Sequence, residues 1–323
     1  MAIVLHGFGG PEELRWESID LPAPAPGEVQ LRHGAVGMNL MEVGLRVGGY
    51  PGPELPFVPG VEGAGVVVAL GDGVDDLKVG DRVGYAAVPV GSYCEVRNFP
   101  ADRTFPLPEH IDDRTAAACM VKGMTAEYML KRCYAVKPGD KVLIHAAAGA
   151  TGMMCVQLAR HLGAEVFGTV SSKAKADYIK SLGCDHAIVY TETNFADEVL
   201  ELTNGDGVNV VYDSIGQTTF NDSLRCLHYL GSMCLFGIAS GPPEPLELMG
   251  LDLLTSQQFV RPSLYAHTRE RQDLLAIAAQ TFDYVREGVI KVDISQTFVL
   301  KDAADAHRAV ESRKTTGSLV LLP

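Results

Sequence analysis

The chain has no C-x-x-C pair and no cysteine cluster: Cys94, Cys119, Cys133, Cys155, Cys184, Cys226 and Cys234 are scattered and odd in number. That usage argues against a disulfide framework and suits reduced thiols. Basic residues are scarce, 27 Lys and Arg against 40 Asp and Glu, for a net charge of −13. The deficit argues against a general nucleic-acid-binding role, while local charge still decides whether one site accepts an anion. No stretch approaches the ~18 apolar residues of a membrane-spanning helix. The opening MAIVLHGFGG lacks the basic-then-apolar pattern of a secretory leader, and a cytoplasmic protein is expected.

What is present begins with length: 323 residues allow two domains with sizeable cores. The first hundred residues read as β-rich. Turns are dense there, at Pro26-Gly27, Gly48-Gly49, Pro51-Gly52-Pro53 and Pro59-Gly60, with strands expected over 28–32 and 63–70. Lys78-Val79-Gly80-Asp81 and Lys137-Pro138-Gly139-Asp140 look like one turn used twice. From about Ile111 the pattern is helical, and then units alternate. Strands over 142–146, 165–170, 187–190 and 208–212 lead to helices over 150–162, 173–182, 196–202 and 219–227, and a further strand covers 232–237. Such alternation implies a parallel sheet wrapped by helices. After a proline-rich loop and an apolar segment to Val260, a helix (270–286), a strand (297–300), a helix (303–311) and a strand (318–322) follow. This last part most simply rejoins the N-terminal domain.

The stretch KVLIHAAAGATGMMCVQLARHLG, 141–163, carries the strongest signal. An apolar run without alternation suits a strand buried on both faces. The helix after it has Met154, Leu158 and Leu162 in one stripe. Strand, glycine turn and helix aim backbone N–H groups and a helix dipole at a phosphate. The spacing A-x-x-G-x-x-G is a variant of the dinucleotide fingerprint, so Gly149, Ala150, Thr151 and Gly152 are the expected pyrophosphate contacts. An NAD site places an acid about 20 residues further on, against the ribose 2′-OH. Here the run is VFGTVSSKAKA, with Ser171, Ser172, Lys173 and Lys175 and no acid. A 2′-phosphate is a dianion that needs cationic and hydroxyl donors, so NADPH is the expected cofactor. Tyr190 ends the third strand, where it either covers the adenosine phosphate or is structural.

At this point the sequence resembles the quinone oxidoreductase (zeta-crystallin-like) branch of the medium-chain dehydrogenase/reductase superfamily. The matching phrases run almost the whole length: PAPAPGEV, VGMNLMEVGLRVGGY, PFVPGVEGAGVV, VGDRV, VKGMTAEYML, VKPGDKVLIHAAAGATG, VRPSLY and HRAVESRKTTGSLVLLP. The resemblance implies an α/β chain: a Rossmann doubly wound parallel sheet plus a GroES-like β-rich catalytic domain, with the active site in the cleft. The expected bounds are 1–122 with 263–323 for the catalytic domain and 123–262 for the NADPH-binding domain.

By the same resemblance, Asn39, Met41 and Tyr50 line the cofactor and substrate side. Thr125 and Tyr128 approach the nicotinamide half, and Phe236, Gly237, Ile238, Phe259 and Arg261 surround the rest of it. Ser171, Lys175 and Tyr190 match the 2′-phosphate pocket, and Arg313 matches a cofactor-proximal arginine. The plain alternatives are a turn cap for Asn39, a loop anchor for Tyr50 and surface ion pairs for Arg261 and Arg313. Glu62 reads as structural. Bacterial relatives place a second tyrosine at the Gly44 position, so a mechanism built on two tyrosines does not transfer.

The zinc branch of the superfamily needs Cys and His ligands where this chain has Met38-Asn39 and Val61-Glu62, and four close cysteines where it has only Cys94. No metal is expected, and without a Lewis acid an electrophile that accepts hydride readily is favoured. The resulting expectation is an NADPH:quinone reductase, with Asn39 and Tyr50 as candidate catalytic donors to the substrate oxygen. An NADPH-dependent alkenal or enone double-bond reductase is the alternative. A crystallin-like or RNA-binding protein that only holds NADPH is the alternative of another class. The stretches 232–236 and 258–264 are expected to form an unpaired sheet edge that a homodimer would cover.

Overall fold

The residue pattern of the longest strand shows how the β-rich part is built. In a computed structural model, which describes residues 1–247 and 254–323, that strand runs over Glu28–Met38, well past the alternating segment 28–32. Its first half alternates buried and open positions. From Ala35 onward every residue is buried, because Ala117, Ala118 and Val320 pack on one side and Leu45, Leu319 and Leu321 belong to the core that receives Val36 and Met38. Alternation disappears where both faces are covered.

In chain order, β1 (Ala2–Leu5) and β2 (Leu14–Glu17) form an antiparallel ribbon. Strand β3 (Glu28–Met38) passes directly into helix α1 (Leu40–Arg46). Four strands follow, β4 (Glu62–Leu70), β5 (Arg82–Ala86), β6 (Val96–Pro100) and β7 (Phe105–Pro106), and then helix α2 (Asp113–Tyr128), whose last turn loosens into a π-helical segment, Met129–Cys133. The alternating region is β8 (Lys141–Ile144), α3 (Ala150–His161), β9 (Glu165–Val170), α4 (Lys173–Ser181), β10 (His186–Val189), α5 (Phe195–Leu202), β11 (Val208–Asp213), α6 (Phe220–Arg225), β12 (Leu227–Leu235) and β13 (Gln258–Val260). The chain closes with α7 (Leu264–His267), α8 (Arg271–Arg286), β14 (Ile294–Val299), α9 (Ala303–Glu311) and β15 (Ser318–Leu322).

The chain divides into two units. The first comprises Met1–Met124, His267–Arg286 and Val292–Pro323. Its main sheet has the order β14-β15-β3-β4-β5-β7, with β6 also paired to β3. The C-terminal strand β15 lies antiparallel to β3, so the end of the chain completes the N-terminal sheet. Buried Arg46 at the end of α1 pairs with Glu311 of α9 at 2.6 Å, which pins the short helix.

The second unit comprises Thr125–Ala266 and Glu287–Lys291. Its six described strands are all parallel in the order β10-β9-β8-β11-β12-β13. The order reverses beside β8, the first strand of the series. That switch point is where doubly wound sheets bind dinucleotides, beyond the carboxyl ends of the strands. The two KxGD turns do share one hydrogen bond: the aspartate accepts from the amide three residues earlier, Asp81 from Lys78 at 3.0 Å and Asp140 from Lys137 at 2.8 Å.

Three readings of the sequence change here. Helix α3 is buried continuously from Gly152 to Ala159, more than the single stripe implied, because it is covered on several sides. Helix α6 ends at Arg225, and Leu227 already begins β12. Residues 232–235 are not an edge: β12 pairs with β11 on one side and β13 on the other. Among the described residues the edge is β13, and residues 248–253 of the expected apolar segment lie outside them.

Candidate active site

The turn after β8 is shaped by close backbone approach. Ala146 takes a left-handed conformation (φ 49°), and Gly149 donates to its carbonyl at 2.8 Å. Gly152 packs so tightly on this turn that a Cβ there would strike the Ala146 carbonyl oxygen and lie 2.9 Å from Ala147 Cα. Helix α3 then starts with Gly149 at its cap, without a capping side chain and without an acid in its first turn. Its first amides, from Ala150 to Gly152, have no acceptor in the preceding turn of helix. The site therefore suits a diphosphate, and the residues present fit the expected dinucleotide.

Two buried side chains brace this end of the sheet, and neither stood out in the sequence. His145 reaches Thr169 Oγ1 and Ser223 Oγ, each at 2.9 Å, and burial lowers its pKa, which keeps the imidazole neutral. Asp213 accepts from the Ile215 amide at 2.6 Å and the Thr219 hydroxyl at 2.7 Å, while its backbone carbonyl receives the Phe236 amide at 2.8 Å. It thereby fixes the start of the Phe236-Gly237-Ile238 segment. Arg261 donates to the Leu235 carbonyl at 3.1 Å and so sits beside that segment, and Phe259 lies on the edge strand, partly exposed. Only the tertiary pairing of β11, β12 and β13 brings these residues into one region.

At the ends of β9 and β10 the four expected polar residues converge. Ser172 caps α4 and accepts from the Lys175 amide at 3.4 Å. The Tyr190 amide donates to Val170, and Thr191 bonds the Ser171 carbonyl, which places Tyr190 next to the Ser171 turn. Partial burial lowers the pKa of the Lys175 ammonium. Lys173 differs from Lys175: it forms an exposed pair with Glu192 at 3.6 Å. Of the two lysines in the run, Lys175 is the one that is partly buried.

On α2, Thr125 is hydrogen-bonded to the Tyr128 hydroxyl, and burial raises the pKa of that phenol. Tyr128 is only 2% exposed.

In the first unit, Asn39 is the cap of α1, and its backbone amide donates to Glu42 at 2.7 Å. Its Nδ2 donates to Glu62 at 2.9 Å. Glu62 thus takes up one of the two Nδ2 hydrogens of Asn39. Glu62 is itself fully buried and paired with Lys122 at 2.5 Å. Burial, with Glu62 nearby, pushes the Glu42 carboxyl up to about 7. Met41 is exposed on α1, and Tyr50 is half-buried with its ring against Gly44. Arg313 is exposed just past α9 in a left-handed conformation (φ 59°).

Among the described residues no three His, Cys, Asp or Glu side chains are grouped to hold a metal ion. Where a zinc site would need ligands, Asn39 and Lys122 occupy Glu62, so these residues do not fit a catalytic zinc.

Comparison with known proteins bears on the family and the fold. Residues 25–132 match the family model of the alcohol dehydrogenase GroES-like domain, and residues 150–280 match that of the zinc-binding dehydrogenases. A 2-haloacrylate reductase from Burkholderia sp is 43% identical over 100% of this chain and 99% of its own. A quinone oxidoreductase from Salmonella typhimurium is 42% identical over 99% of each chain. The crystal structure of Escherichia coli quinone oxidoreductase complexed with NADPH superposes with a TM-score of 0.97 at 40% identity, covering 100% of this chain and 99% of that one.

Proposed function

Because this chain belongs to the zeta-crystallin-like quinone oxidoreductase family of the medium-chain dehydrogenase/reductases, we propose that it is an NADPH-dependent quinone reductase that works without zinc. The observation that carries the cofactor is the acid-free cluster of Ser171, Ser172, Lys175 and Tyr190 beyond an α3 terminus that no side chain caps. When bound, NADPH supplies the hydride. The chain's own contribution is to hold the diphosphate on the α3 amides, the 2′-phosphate on Lys175 and its neighbouring hydroxyls, and the reacting rings in register. A quinone needs no Lewis acid to accept hydride, which suits a site without metal ligands. The Tyr50 hydroxyl and the remaining N–H of Asn39 are the candidate donors for charge developing on the substrate oxygen.

The relative that reduces a 2-haloacrylate favours one second reading, saturation of an activated C=C bond with the same cofactor. NADPH oxidation measured with a panel of quinones, enones and 2-haloacrylates, with NADH and with a chelator as controls, separates the two. Turnover of quinones that survives chelation supports the reductase; turnover of the C=C substrates alone supports the second reading. NADPH binding without turnover of either would leave only the non-enzymatic reading and overturn both.

The proposed assembly is a homodimer through β13. Its exposed Phe259 lies on the sheet edge, and the Leu230 amide donates to Thr255 at 2.6 Å, which sets exposed Tyr229, Leu230 and Leu254 close to that edge. An apolar, unpaired edge of this kind is what pairing with a second copy removes. Light scattering of wild type and Phe259→Lys tests it. A cytoplasmic location suits the seven free cysteines, six of them buried. No helix among the described residues is long and apolar enough to cross a membrane.

A further inference from the structure

Within the second unit, His145 stands between the two turns that a phosphorylated dinucleotide needs. It follows β8 directly and opens the turn that ends at Gly152. Its Nδ1 is hydrogen-bonded to Thr169 Oγ1 and its Nε2 to Ser223 Oγ, each at 2.9 Å. Thr169 lies on β9, two residues before Ser171, and its backbone carbonyl accepts from the Ala147 amide at 3.0 Å. Thr169 therefore holds the glycine turn on both sides of Ala146, the residue in the left-handed conformation. Gly168 permits this approach, since a Cβ there would lie 2.9 Å from that of Ala147.

The imidazole has little freedom to turn away. His145, Thr169 and Ser223 are at most 2% exposed, and the Phe195 ring packs edge-on against His145, with centroids 4.8 Å apart and planes at 83°. A neutral imidazole has one donor and one acceptor nitrogen, and the two hydroxyls satisfy both. Deleting either hydroxyl leaves a buried nitrogen without its partner, at a similar cost on either side. The two bonds differ in what they join. Ser223 belongs to α6, whereas Thr169 belongs to the strand that leads into Ser171, Ser172 and Lys175. A ligand held at two points gains from both only when the spacing of the two subsites matches its own.

We propose that His145, acting through Thr169, is a positioning residue that fixes the spacing between the glycine turn, Gly149–Gly152, and the cluster at Ser171 and Lys175. Buried as it is, the imidazole acts on neither phosphate directly; it sets whether one nucleotide satisfies both turns at once. The inference rests on the NADPH reading above and adds a determinant of the preference for NADPH over NADH that lies outside the 2′-phosphate cluster itself.

Titration of the full chain with NADPH, NADH and adenosine 2′-monophosphate tests the link, because each of the last two engages only one of the two turns. Thr169→Val removes the hydroxyl and keeps the shape of the side chain. It should raise the Kd for NADPH about tenfold, with those for NADH and adenosine 2′-monophosphate within about twofold of wild type. Ser223→Ala should leave all three within about twofold. Equal effects of the two variants, a loss shared by all three nucleotides, or an unchanged NADPH affinity in Thr169→Val would overturn the proposal.

Should either variant not fold, His145→Asn and His145→Gln decide. The asparagine amide reaches the place of Nδ1, and so Thr169; the glutamine amide reaches that of Nε2, and so Ser223. His145→Asn should bind NADPH within about threefold of wild type and His145→Gln about tenfold more weakly. The reverse order, or equal affinities, would overturn the proposal. A wild type that binds NADH as tightly as NADPH would refute the 2′-phosphate reading, and the proposal with it, before any variant is compared.

Discussion

The ring of Tyr50 lies against the backbone of Gly44, in the space that a Cβ on residue 44 would fill. The amides of Gly49 and Tyr50 both donate to the Gly44 carbonyl, at 2.8 and 3.3 Å, so the loop after α1 folds back onto the helix and is held there. A glycine inside a helix costs about 1 kcal/mol relative to alanine. Here the missing side chain makes room for the tyrosine. Gly44→Ala should push the ring out and raise the KM for quinone by about fivefold or more, on the scale of a displaced donor, with the Kd for NADPH within about twofold. An unchanged quinone KM would show that the placement of Tyr50 does not matter to the substrate.

Lys175→Ala should remove a charge-assisted contact to the 2′-phosphate. The Kd for NADPH should rise by about 10- to 100-fold, the range of a hydrogen bond to a charged group, while that for NADH moves little. Fluorescence titration with both nucleotides reads the difference. Equal effects would place Lys175 outside the 2′-phosphate site.

Gly152→Ala tests the other end of the cofactor. Its Cβ would strike the Ala146 carbonyl and displace the turn that α3 starts from. Loss of phosphate contacts on the α3 amides should weaken NADPH and NADH alike, by about tenfold or more. A selective effect on NADPH would contradict the assignment of this turn to the diphosphate common to both.

The stability of the first unit should carry the signature of Glu42. Burial, aided by Glu62, raises its pKa from an ordinary 4.5 to about 7, against the backbone amides, Lys122 and Asn39, which favour the ion. Tyr93 and Arg46 also face this region, and burial holds the Tyr93 phenol well above its ordinary range, so it stays neutral. Between pH 4.5 and 7 the folded state holds a proton that the unfolded chain has released, so stability falls as pH rises through that window. The fall amounts to at most about 3 kcal/mol and levels off above the folded pKa. Glu42→Gln lacks this titration, so its denaturant-derived stability relative to the wild type should climb across the window. A constant difference would mean that Glu42 ionises in the ordinary carboxylate range.

Local chemistry made much of the nucleotide-binding unit legible. An unbroken apolar strand, a glycine turn and the absence of an acid after the second strand are all short-range patterns, and they suffice for β8, α3 and the preference for a 2′-phosphate. The KxGD turns were equally readable, since their defining hydrogen bond spans three residues. The extent of β3 was less so, because burial on both faces erases the alternation that marks a strand. The position of β12 could not be read either: an apolar strand at a sheet edge and one inside it have the same composition.

The site's polarity was beyond local reading altogether. Asn39 and Glu62 are 23 residues apart, and Glu62 and Lys122 are 60 apart. Nothing in the sequence requires them to meet, and only the packing of β3, β4 and α2 turns a turn-capping asparagine into one with a fixed orientation. Patterns along the chain were enough for the family and the parallel sheet, because these depend on neighbours in sequence. The tertiary structure decided which lysine of the Ser171–Lys175 run is partly buried, which of the described strands is the edge, and which buried carboxylate the Asn39 side chain meets. Each of those depends on charges and surfaces brought together in the interior, where an unmatched carboxylate or amide is too costly to leave unpaired.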